Sequence, residues 1–110
     1  MSGPPLGEAA FRLEAYRLDE LRRATMELSI EADLALGNRE LVVSELEVAI
    51  EENPYREHLW YLLIEALAGQ GRRVEALRAC QRLHNELADV GVQPTDDLQI
   101  LERQIFDGSR

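Results

Sequence analysis

Cys80 and His84 stand four residues apart, which on a helix puts a thiol and an imidazole on one face, enough for two ligands of a metal ion. No third or fourth ligand accompanies them, and Cys80 is the chain's single cysteine. The pair therefore reads as a small buried hydrophobe beside a partly exposed histidine. Glu45, Glu47, Glu51 and Glu52 are dense in sequence, but helical spacing spreads them around an axis into a solvated face. No Ser-His-Asp set and no glycine-rich phosphate loop is present. The expectation is a protein that is not an enzyme and that carries no metal and no cofactor. Arg72, Arg73, Arg78 and Arg82 gather on one stretch. They can dock an acidic or phosphorylated partner, or simply pair with Glu75, Glu86 and neighbouring helices.

The net charge of −9 argues against a DNA- or RNA-binding surface, which needs clustered cations. All twelve basic residues are arginine. A lone cysteine fits a reducing, cytoplasmic setting. No apolar run approaches the roughly 18 to 20 residues of a membrane span, so no membrane contact is expected. The opening MSGPPLGEAA lacks the basic start and apolar centre of a signal peptide. Residues 1–7 are expected to be a flexible leader, followed by one domain over residues 8–110.

The elements that must position these side chains are helical. Leu, Ala, Glu and Arg dominate, and few residues are β-branched. The pattern places helices over about 8–36, 39–52, 56–68, 73–89 and 95–106, punctuated by Gly37, Asn53-Pro54, Gly69 and Gly71, then Gly91 and Pro94. In the first helix, Leu21, Thr25, Leu28, Ala32 and Ala35 form one stripe, and Met26, Ile30 and Asp33 a second, which suggests two neighbours. Later helices offer Val42, Val43, Leu46, Ala49 and Ile50; Leu59, Trp60, Leu63, Ile64 and Leu67; Ala76, Leu77, Cys80, Leu83 and Leu87; and Leu98, Leu101, Ile105 and Phe106.

LALGNRELVVSEL, starting at Leu34, and LAGQGRRVEALRAC, starting at Leu67, share one layout. Gly37 falls on Gly71 and Arg39 on Arg73, each 34 residues on. Helix pairs with this period are the mark of tetratricopeptide repeats. The expected fold is all-α, with tetratricopeptide-like helical hairpins stacked into a right-handed superhelix of about five helices. In such a stack His58, Tyr61 and Glu65 fall on the concave side, where extended peptides bind. Phe11 and Tyr16, on the projecting first helix, are candidates for a dimer surface.

EADLALG, ENPYREHLW, GQGRRVEALRAC and above all LADVGVQPTDDLQILERQI carry a further resemblance. Over residues 12–106 the chain resembles the bacterial transcriptional activator domain. That domain is the helical module of the Streptomyces antibiotic regulatory protein family and its actinobacterial relatives. The family commonly has Tyr near Cys80, which implies local repacking here. The resemblance implies a module for self-association, or for contact with neighbouring domains and the transcription machinery. It also implies a partner winged-helix domain that binds DNA. This chain offers neither its basic recognition helix nor its β-hairpin, so direct nucleic-acid binding is not expected. The competing readings are a stand-alone peptide-binding scaffold and a spacer in a multidomain signalling protein.

Overall fold

The computed structural model describes residues 6–108. Among them are five α-helices and no strand: α1 Leu6–Ala35, α2 Arg39–Glu52, α3 Glu57–Gly69, α4 Arg73–Asp89 and α5 Asp96–Phe106. α1 thus begins inside the stretch read as a leader, and residues 1–5 lie outside the described residues. The remaining boundaries shift by one residue at most: Arg56 and Thr95 are N-caps of α3 and α5.

Each helix packs on the next, and α3 also meets α1 and α5. This is the connectivity of stacked hairpins: odd helices share one face, and even helices back them. The corners repeat in atomic detail. Gly37 has φ 85° and Gly71 φ 76°, left-handed values that a Cβ disfavours. At the first, the Asn38 amide donates to the Asp33 carbonyl at 3.0 Å and the Gly37 amide to Leu34 at 3.1 Å. At the second, Arg72 donates to Leu67 at 2.9 Å and Gly71 to Ala68 at 3.0 Å. Both corners therefore satisfy otherwise orphaned terminal carbonyls in the same way. The α4 end, at Gly91, repeats it once more, with Val92 donating to Leu87 at 3.0 Å.

α3 is the centre of the core. Leu59, Trp60, Leu62, Leu63, Ile64, Ala66 and Leu67 are all buried, so it is covered nearly all round. It packs on α2, α4 and α5, and the same buried cluster takes in Val42, Leu46, Ala49 and Ile50 of α2, Ala76, Ala79, Cys80, Leu83 and Leu87 of α4, and Leu98, Leu101 and Ile105 of α5. Leu62, Ala66 and Ala79 join this core without having been expected there. Phe106 does not, at 69% exposed.

α1 corrects the two-stripe expectation. Ile30 is buried, and Met26 and Leu34 pack beside it. Leu21 and Leu28 of the other stripe are 63% and 65% exposed. α1 does have two neighbours, α2 and α3, but among the described residues none covers the stripe of Leu21, Thr25, Leu28, Ala32 and Ala35, which is exposed along its length. At 30 residues α1 is about 45 Å long. Its N-terminal half projects, and the molecule measures 60 × 33 × 20 Å.

Candidate protein-interaction site

The face made by α1, α3 and α5 holds two adjoining concavities. The larger, about 590 Å³, lies between α1 and α3, with Leu34, Ala35, Leu62, Ala66 and Ala68 among its walls and Glu31, Arg39, His58, Tyr61 and Glu65 also lining it. The second, about 440 Å³, lies between α3 and α5 and is lined by Glu57, His58, Tyr61, Thr95, Asp97 and Leu98. His58 and Tyr61 belong to both, so the two form one groove with the tyrosine near its middle.

Hydrogen bonds between elements hold the rim. His58 Nε2 lies 2.7 Å from Glu31 Oε1, joining α3 to α1. Glu57 Oε2 accepts the Thr95 amide at 3.1 Å, so a side chain of α3 caps the start of α5. Arg39 Nη1 donates to the Gly69 carbonyl at 3.3 Å, joining the start of α2 to the end of α3. Three of the expected site residues, His58, Tyr61 and Glu65, thus line one groove. Glu31, Glu57 and Asp97 join them without having been singled out in the sequence. Glu31 had a readable signal, because it stands one 34-residue period before Glu65.

Arg72 and Arg73 do not reach this groove. Arg72 donates to Gln70 Oε1 at 3.0 Å and pairs with Glu75. Arg73 Nε donates to the Ile105 carbonyl at 2.9 Å and its Nη2 to Phe106, so it closes the C-terminus of α5, where a cation is favourable. Arg82 makes two bonds to Glu47 of α2, at 2.9 and 3.0 Å, and its guanidinium carbon sits 5.2 Å from the Trp60 ring centre. Three of the four clustered arginines are therefore engaged in joining helices or closing their ends. Trp60 is buried, and its indole N–H donates to the Pro54 carbonyl at 2.9 Å.

Cys80 and His84 part company in the fold. Cys80 is buried, and burial pushes its thiol up to about 12. His84 pairs instead with Glu102 of α5, at 2.8 Å. Among the described residues, no three or more His, Cys, Asp or Glu side chains gather as metal ligands, and no helix is long and apolar enough to cross a membrane.

Phe11 and Tyr16 lie on the projecting half of α1, 75% and 61% exposed. Leu13, Leu18 and Leu21 are exposed on the same arm. Arg56, at the start of α3, anchors the base of this helix by pairing with Glu27 and, at 3.5 Å, with Glu20.

A stack of helical hairpins with a groove on its odd-helix face defines a small helical-repeat protein of the tetratricopeptide-like class. Within that class the match is specific. The family model described as bacterial transcriptional activator domain matches residues 2–106, and the chain belongs to that family. It is 35% identical over 95 residues to Regulatory protein DnrI of Streptomyces peucetius, covering 86% of this chain and 35% of that one. It is 41% identical over 77 residues to Transcriptional regulatory protein EmbR of Mycobacterium tuberculosis, covering 69% and 20%. The solved structure of Mycobacterium tuberculosis EmbR in complex with low affinity phosphopeptide superposes with a TM-score of 0.85 at 33% identity, covering 97% of this chain and 30% of that chain. The chain thus spans about a third of DnrI and a fifth of EmbR. It is a domain of the kind found in bacterial transcriptional regulators.

Proposed function

We propose that this domain is the protein-contact and self-association module of a bacterial transcriptional regulator. It works in the cytoplasm beside a DNA-binding winged-helix domain that residues 1–110 do not supply. Packing of helix faces holds protomers or neighbouring domains in register, so that linked DNA-binding domains occupy paired sites. The module does no chemistry of its own. The observation that carries this reading is the uncovered apolar arm around Phe11 and Tyr16, set beside a groove walled by three helices. Exposed aromatics bordered by charge are characteristic of protein contact surfaces. Binding of an extended peptide in the groove that His58 and Tyr61 share is the second reading, within the same regulatory setting. Docking of a phosphate group on α4 is disfavoured, because Arg72, Arg73 and Arg82 already have partners.

A gel-shift series tests the division of labour. The isolated chain should leave duplex DNA unshifted at physiological salt, and fusion to a winged-helix domain should restore binding with preference for paired sites. A shift by the isolated chain contradicts the proposal.

A further inference from the structure

The groove has a definite charge. Its rim carries the carboxylates of Glu31 and Glu65 on the α1 side of Tyr61, and those of Glu57 and Asp97 on the α5 side; Glu31 bonds His58 through Oε1 and Glu57 bonds the Thr95 amide through Oε2, each with its second oxygen left to face the groove. Arg39 is the one arginine among the residues lining the two concavities, and it bonds the Gly69 carbonyl. The floor between the carboxylates is apolar, supplied by Leu34, Leu62 and Leu98. Such a surface rejects acidic segments and favours cationic ones whose aliphatic stems can lie along the floor.

We propose that this face takes an extended, arginine- or lysine-bearing segment of a partner protein. Tyr61 meets the middle of the segment, and the two pairs of carboxylates receive basic side chains on either side of it. The proposal rests on the reading of the domain as a contact module, and it names the chemistry of one partner. Adjacent helices pack about 8–10 Å apart, so the path from α1 across α3 to α5 is roughly 16–20 Å, the length of about five or six extended residues. The chain's own projecting arm does not match this site. Between Glu8 and Arg23 it has four acids (Glu8, Glu14, Asp19, Glu20) and four arginines (Arg12, Arg17, Arg22, Arg23), and so no net charge.

The test uses fluorescein-labelled nine-residue peptides carrying arginine at two, three or four positions in an alanine-serine-leucine background. A matched series carries glutamate at the same positions. Fluorescence polarisation reads affinity, and amide chemical shifts of the isotope-labelled chain read location. Affinity should rise with each arginine and fall with added salt, with shifts centred on His58, Tyr61 and Thr95. Asp97→Asn, at an exposed first-turn position, should weaken binding roughly two- to fivefold. Glu57→Gln should do the same while keeping an acceptor for the Thr95 amide. Tyr61→Ala should weaken both the two- and the four-arginine peptides. Equal binding of the glutamate series, or no shifts in the groove with any peptide, overturns the proposal. Self-association and DNA binding are measured separately, so failure here leaves the contact-module reading standing, and failure there does not alter this result.

Discussion

Gly71 isolates a single physical effect. Its φ is 76°, and a Cβ added there meets no atom within 4 Å. Gly71→Ala therefore changes the backbone preference and little else. It should cost about 1–2 kcal/mol in urea denaturation, the penalty for a Cβ in the left-handed region. An unchanged midpoint would mean that the corner is not held in that conformation. Cys80 gives a second test at this scale. Burial raises its thiol from the ordinary 9.0 to about 12, so the neutral form is favoured by folding. That contribution to stability is fully present below pH 9.0 and is lost as pH rises toward 12. In native buffer at pH 8 the thiol should resist a disulfide-exchange reagent and react only as the chain unfolds. Rapid reaction in the folded state would contradict its placement in the core. The glycine corners were legible in the sequence because the left-handed conformation selects the residue type. The bonds of Arg73 and Arg82 were not, because they join positions about 32 to 35 residues apart whose meeting depends on how whole helices are placed.

Among the elements, α2 to α5 were readable because each buries one face against α3 or its neighbour, and apolar spacing reports that directly. α1 was only half readable. Its Leu21 stripe and its Ile30 stripe look equally apolar in sequence, and only the stack decides which is covered. The consequence is dynamic. Amides in the first half of α1 have local pairs such as Arg12–Glu8 at 3.9 Å and Arg22–Asp19 at 3.7 Å for support, both on the surface. Hydrogen exchange there should be far faster than in α3, whose amides should exchange only on global unfolding. Equal protection along α1 would show that the arm is covered in solution. α4 makes a different prediction. Arg82 links Glu47 of α2 to the Trp60 face of α3. Arg82→Ala should destabilise by about 1 kcal/mol, the sum of a surface ion pair and a cation-π contact. A loss below a few tenths of a kcal/mol would mean that the clamp is not populated.

For the whole molecule, elongation is the informative property. The radius of gyration is 17.0 Å, against about 13 Å for a compact domain of this length. The difference reflects a helix that runs past its own core with Phe11, Leu13, Tyr16 and Leu18 uncovered. The repeat period and the family resemblance predict the stack and its groove, but neither predicts how far the arm is bare, which is a property of the assembled shape. The proposed function depends on this bare arm being a contact surface. Sedimentation velocity across a concentration series at 150 mM salt, on the chain and on a Phe11→Ala, Tyr16→Ala double variant, tests it most directly. The chain should rise toward dimer mass with concentration, and the variant should stay a monomer throughout. A chain that stays monomeric at every concentration, or a variant that associates as well as the parent, would contradict it.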